Sequence, residues 1–103
     1  MTAIDGRIDL HGMTQRSAHG RLLSFLDQAR SHGSRVVLVI TGKGVRTPDA
    51  PGSHRETGVL RRAVPLWLEE PAFRALVAGY SPAHRSHGGD GALYVRLRRR
   101  RGA

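Results

Sequence analysis

The chain has 103 residues, a formal net charge of +9 and no cysteine. Disulfides, thiolate metal sites and a cysteine nucleophile are thereby excluded, and 39% hydrophobic against 24% charged residues is the balance of a folded domain and not of a disordered one. The longest apolar run, Val36–Ile40, falls far short of the ~20 residues that cross a bilayer, and the N-terminus lacks the basic start and apolar stretch of a signal peptide. The expectation is therefore a cytoplasmic, monomeric protein of one domain over residues 1–103, with its core over about 7–98 and a basic tail from 98 to 103.

Arg7–Leu10 predicts a short strand, because Ile8 and Leu10 alternate with Arg7 and Asp9. Thr14 is a natural N-cap for a helix running to about Ser31. Ala18, Leu22, Phe25, Leu26 and Ala29 fall on one face of that helix, and Gly33 stands where a helix C-terminus favours glycine. Val36–Ile40 is an unbroken apolar run, which suggests a strand covered on both faces. Strand, helix and strand in that order predict a parallel pair joined by a helical crossover.

From Val45 to Gly58 the chain is rich in Gly, Pro, Ser and Arg and has no period, as expected of a long mobile loop. A second helix is predicted over Val59–Glu69, with Leu60, Val64, Trp67 and Leu68 as its apolar stripe, Pro65 kinking it and Pro71 helping to end it. Ala75–Tyr80 and Ala92–Arg98 read as strands that pair as a hairpin across the loop Ser81–Gly91. In the second of these, Leu93, Val95 and Leu97 face inward, and Tyr94, Arg96 and Arg98 face outward. The predicted fold class is α/β, a two-layer sandwich of a mixed four-stranded sheet and two helices in the order β-α-β-α-β-β.

The charge points to polyanions as partners, nucleic acid before membrane surfaces. Sixteen of the 17 basic residues are Arg, with Lys43 the lone lysine. They are spread along the chain and not gathered on one amphipathic helix, which argues against a membrane partner. Arg46, Arg55, Arg61 and Arg62 could track a phosphate backbone, and a solvated basic surface is the plain alternative. Tyr80 and Tyr94 are the aromatic residues with a plausible claim to exposure, too few for a stacking platform.

Three short motifs can carry chemistry. Asp9 and His11 are two apart and project together from the first strand, opposite Ile8 and Leu10. A carboxylate beside an imidazole fixes its tautomer and readies it as general base or acid. Thr41-Gly42-Lys43-Gly44 follows the buried strand. Its glycines allow close backbone approach and its amides can form a nest for an anion, with Lys43 adding a point charge, although the spacing is not that of a Walker loop. His87-Gly88-Gly89-Asp90-Gly91 offers a second acid–base group in a flexible turn. In open α/β sheets, sites gather at the carboxyl ends of parallel strands, and the first two motifs fall there. His19, His32 and His84 are expected to face solvent. No histidine pair or carboxylate pair has metal-site spacing, and no metal ligand is assigned.

Taken together, Ile8-Asp9-Leu10-His11-Gly12, Val39-Ile40-Thr41-Gly42-Lys43-Gly44, the helix from Leu60-Arg61 to Trp67-Leu68, and His87-Gly88-Gly89-Asp90-Gly91-Ala92 leading into a strand resemble the small MutS-related, or Smr, domain family. The resemblance runs from Ile8 to Leu97 and is to the stand-alone bacterial branch. On this resemblance the chain is expected to carry neither a MutS-like ATPase nor the N-terminal extension of many stand-alone members. It implies a two-layer fold like the C-terminal domain of translation initiation factor three. It also implies an endonuclease that nicks or cuts DNA or RNA, with some members acting on messenger RNA on stalled ribosomes. The family's Asp-x-His motif falls on Asp9 and His11, its Thr-Gly-x-Gly motif on Thr41, Gly42, Lys43 and Gly44, and its glycine-rich loop on Gly88, Gly89 and Gly91.

The expected mechanism places Asp9, His11 and His87 in catalysis, with Thr41, Gly42, Lys43, Gly44, Arg46, Arg55, Arg61, Gly88, Gly89 and Gly91 holding nucleic acid. The amides of the two glycine loops would receive the developing negative charge. On RNA, no cofactor is required. On DNA, a water must attack, and magnesium would then help. The rival expectation is a non-catalytic module that docks on nucleic acid or on a ribosome. A phosphate-binding metabolic enzyme is the third.

Overall fold

The computed structural model describes residues 3–42 and 58–99. The first strand, β1, spans Gly6–Asp9. The helix α1 spans Gln15–Ser31 and β2 spans Val36–Ile40. Beyond the undescribed stretch come α2 (Val59–Trp67), the short α3 (Pro71–Arg74), β3 (Val77–Pro82) and β4 (Ala92–Leu97).

Local chemistry sets the limits of α1. Thr14 is extended (φ −69°, ψ 158°) and its hydroxyl accepts from the Ser17 amide, satisfying one of the orphan donors of the first turn. At the other end Gly33 takes φ +86°. The Ser34 amide then donates to Ala29 O at 2.9 Å and the Gly33 amide to Arg30 O at 3.0 Å, the paired bonds of a Schellman stop.

The sheet runs in the order β1-β2-β4-β3. β1 and β2 are parallel, and β4 is antiparallel to both β2 and β3. On one face, Ile8, Val37, Val39, Val77, Val95 and Leu97 pack against Ala18, Leu22 and Leu26 of α1 and against Leu60, Val64 and Trp67 of α2, all of them buried. Each fully buried leucine or valine of this set contributes about 1.5–3 kcal/mol over an exposed one. On the opposite face Leu38, Ala83 and Ala92 are buried together with Ile40 and Tyr94 against them, which explains why β2 is apolar at every position.

Several boundaries differ from those expected by one or two residues, and three of the differences have a clear cause. β1 closes one residue earlier, yet Leu10 is fully buried and its amide still donates to Ile40 O at 2.8 Å. Pro71 does more than end the second helix: Glu70 is extended before it and a third, short helix starts at Pro71, where a proline needs no amide donor. Ala75 and Leu76 complete that turn through bonds to Pro71 O and Phe73 O, so β3 starts at Val77 and not at Ala75. Its register then slips between Val77 and Gly79, an irregularity of the bulge kind. Among the described residues no helix is long and apolar enough to cross a membrane.

The strand order has one consequence for function. The carboxyl ends of β1 and β2 lie beside the amino end of β4, since Asp9 pairs with Ile40 and Ile40 pairs with Ala92. The segments after β1, after β2 and before β4 therefore meet at one edge of the molecule.

Candidate active site

At that edge Asp9 and His11 form a hydrogen-bonded pair. Asp9 Oδ1 lies 2.6 Å from His11 Nδ1 and also accepts from the His11 backbone amide at 3.0 Å. The pair is held by a side-chain-to-backbone turn of the Asx kind, because β1 has already ended at Asp9; strand alternation supplies only the outward direction of the carboxylate. Both side chains are open to solvent, His11 at 70% and Asp9 at 49%. Partial burial pushes the Asp9 carboxyl up, but the bonds from the His11 ring and amide and the charge of that ring outweigh it, and Asp9 titrates below its ordinary value. An ionised carboxylate only accepts. The proton of the imidazole is thus held on Nδ1, and Nε2 is left to exchange protons with whatever binds.

The segment after β2 supports the histidine from behind. Gly42 has φ +88°, and a β-carbon there would stand 3.3 Å from His11 Cβ. Only glycine satisfies both the backbone angle and the close approach.

The segment before β4 is tied to the same place by one carbonyl. Gly91 O accepts from the Thr41 amide at 2.8 Å, the Gly42 amide at 3.1 Å and the Thr41 hydroxyl at 3.3 Å. Thr41 is the buried polar residue among those described, and its hydroxyl acts as a strut between the two segments.

Other amides of the glycine loops are engaged in the same way. The amides of Thr41 and Gly42 are taken by Gly91 O, that of Gly88 by Arg85 O, that of Gly89 by His84 O and that of Gly91 by Gly88 O. These five amides are therefore engaged within the fold, while those of Lys43 and Gly44, which the expected anion nest also draws on, lie outside the described residues. The glycines of these motifs supply positive φ, as at Gly42, Gly88 and Gly89.

His87 is half-buried in a short turn of Arg85–His87. Its Nδ1 lies 2.6 Å from the Tyr94 hydroxyl, and the two rings meet edge to face at 5.6 Å. Tyr94 also accepts the His84 amide at 3.1 Å, and the expectation of an exposed tyrosine gives way to a half-buried one that organises the loop. Asp90, on the same loop, is exposed. Arg61 is exposed in the first turns of α2. Lys43, Gly44, Arg46 and Arg55 lie outside the described residues. Among the described residues no three of His, Asp and Glu cluster as metal ligands would.

Sequence reading missed two histidine roles. His19, expected in solvent, is half-buried. Its Nε2 lies 2.8 Å from Glu70 Oε1, and its ring meets Trp67 and Phe73 edge-on at 5.0 and 5.2 Å. His84 accepts from the Ser86 amide and so caps the turn that carries His87.

Comparison with known proteins supports one family throughout. The model of the Smr domain matches residues 8–98. An endonuclease MutS2 of Maridesulfovibrio salexigens is 37% identical over 88% of this chain, which corresponds to 10% of that protein. A ribosome rescue factor SmrB of Tolumonas auensis is 30% identical over 88% of this chain and 44% of its own length. The chain thus spans a tenth of the one relative and less than half of the other. The crystal structure of the Smr domain of Thermus thermophilus MutS2 superposes with a TM-score of 0.71 at 28% identity, over 90% of this chain and 98% of that one. With its mixed four-stranded sheet, its helices and a family match over nearly all of its length, the chain belongs to the Smr domain family.

Proposed function

We propose that this domain is an endonuclease in which His11, oriented by Asp9, moves the proton of the attacking group. The observation that carries the reading is the 2.6 Å contact of Asp9 Oδ1 with His11 Nδ1 on a histidine otherwise open to solvent, at the edge where three loops meet. A buried pair of this kind would be structural. An exposed one contributes only about 0–1 kcal/mol to the fold, so beyond shaping its own turn it is free to act on what binds.

RNA is the favoured substrate. His11 Nε2 takes the proton of a 2′-hydroxyl, the 2′-oxygen attacks phosphorus, and the bond to the 5′-oxygen breaks with its electron pair on that oxygen. His87 gives the leaving oxygen its proton. The products are a 2′,3′-cyclic phosphate and a 5′-hydroxyl. On DNA a water replaces the 2′-hydroxyl, and a magnesium ion, with Asp9 and Asp90 as the carboxylates nearest to hand in the motifs, would assist it. The basic residues Lys43, Arg46, Arg55 and Arg61 hold the backbone. Names borne by relatives support nuclease action, since MutS2 is called an endonuclease.

The SmrB likeness favours a second reading, a module that docks on nucleic acid or on a ribosome without cutting. Metal-stripped protein and His11→Ala, each incubated with labelled RNA and DNA with and without magnesium, decide between them. The nuclease predicts cleavage that vanishes in the variant while binding persists, and the terminal phosphate identifies the attacking group. Tight binding with no cleavage by either protein leaves the docking module.

A further inference from the structure

The geometry points to Tyr94 as the positioning residue for His87, an assignment that rests on the nuclease reading above. Tyr94 lies on β4, paired with Leu38 on one side and Ser81 on the other, so its backbone is fixed on both flanks. Its hydroxyl reaches the turn that precedes the strand. There it accepts the His84 amide at 3.1 Å and meets His87 Nδ1 at 2.6 Å.

A hydroxyl suits this task better than a carboxylate. When the His87 ring is charged, both of its nitrogens carry protons and Nδ1 can only donate. Tyr94 O then accepts it on the lone pair left over from the His84 amide. When Nε2 passes its proton to the leaving oxygen, the proton on Nδ1 and its bond to Tyr94 both remain. The ring is therefore held in one orientation before and after the transfer, with Nε2 as the exchanging atom. A carboxylate such as Asp9 holds its imidazole in the same way but brings a full negative charge next to the phosphate being cleaved. Asp9 serves the base and neutral Tyr94 serves the acid, which divides the two roles between two histidines with different partners.

The test is Tyr94→Phe, which keeps the ring and removes the oxygen, beside His87→Ala and the double variant. In the wild type, nitrogen-15 spectra of the charged His87 ring should show an Nδ1 proton sheltered by its bond. In Tyr94→Phe that signal should broaden into water, while amide spectra and Tm show the fold intact. Cleavage of ordinary RNA by Tyr94→Phe should fall roughly tenfold in kcat with KM little changed, a part of the 10²–10⁴ that general acid–base catalysis supplies. The double variant should be no slower than His87→Ala. A substrate with sulfur in place of the leaving 5′-oxygen needs no proton there, so both single variants should cleave it as fast as the wild type, whereas His11→Ala should not. Tyr80→Phe, whose ring packs on the opposite face of the sheet from Tyr94 and whose hydroxyl bonds Glu69, should leave cleavage unchanged. An Nδ1 signal indifferent to the tyrosine oxygen overturns the proposal, as does a Tyr94→Phe enzyme with wild-type kcat or one not rescued by the sulfur leaving group. A wild-type protein that shows the Nδ1 signal but cuts nothing sinks the nuclease reading instead, and the catalytic role of Tyr94 with it.

Discussion

Gly42→Ala separates two effects that a glycine can have. Gly42 has φ +88°, and an L-residue in the left-handed region pays roughly 1–2 kcal/mol. For a domain of this size each kcal/mol is worth about 4–8 °C in Tm, so a loss of roughly 5–15 °C is expected. Gly33 has nearly the same angle, φ +86°, with nothing within 4 Å of a β-carbon, and it closes α1 at the other end of the molecule's crossover. Gly33→Ala should therefore cost about the same stability. The two variants should part company in catalysis. At Gly42 the new methyl group would stand 3.3 Å from His11 Cβ, inside the ~3.5–4.0 Å optimum for carbon pairs, and must push His11 by a few tenths of an ångström. A displacement of 1 Å can cost about 10²-fold in rate; a third of that on a logarithmic scale is roughly fivefold. Differential scanning fluorimetry and single-turnover cleavage below both Tm values check the pair. Equal loss of activity in Gly33→Ala, or wild-type kcat in Gly42→Ala at matched stability, would refute the argument that Gly42 is there for His11.

Four further outcomes are expected. Asp9→Asn removes the charged acceptor of His11 Nδ1 and frees the wrong tautomer, so kcat should fall about 10²–10⁴-fold with substrate binding retained, read by single-turnover rates beside a filter-binding assay. Thr41→Val keeps the shape but strips the hydroxyl that bonds Gly91 O and Gly42 O; about 1 kcal/mol should be lost in urea unfolding, with faster amide exchange at Gly91 and Ala92. His19→Ala removes the Glu70 bond and two edge contacts, each aromatic contact being worth ~0.5–1.5 kcal/mol, so a loss of roughly 1–3 kcal/mol should appear in the same assay without any change in cleavage. Asp5 accepts the Arg35 and Val36 amides, and these bonds hold its carboxyl below the ordinary 3.8. A depressed folded value means that stability is present above 3.8 and lost as pH falls through the folded value, so Asp5→Asn should flatten the acid limb of Tm against pH relative to the wild type.

The periodic parts of the chain were legible because their causes are local. Thr14 and Gly33 mark the ends of α1 by chemistry that acts within four residues, and the apolar run of β2 needs only two covered faces to be read as a strand. Asp9 and His11 were legible for a similar reason, although the turn and not the strand brings the ring to the carboxylate. Other features depend on partners far along the chain. Nothing near His19 announces Glu70, 51 residues away, so an isolated histidine on a helix reads as solvated until two helices are packed.

The glycine loops also depend on distant partners. Glycine and threonine in a turn announce freedom to approach and donors to spare, but not what the donors will meet. One carbonyl, Gly91 O, accepts two amides and a hydroxyl from the segment after β2, and that segment is 50 residues from it. Among the described residues, Thr41, Gly42 and Gly91 form a joint between the segment after β2, which backs His11, and the segment that carries His87. A substrate phosphate arriving there would find no free amide among Thr41, Gly42, Gly88, Gly89 and Gly91. On the nuclease reading side chains would meet its charge there, His11 and His87 among them, so cleavage should respond to those two far more than to the loss of any of these five amides.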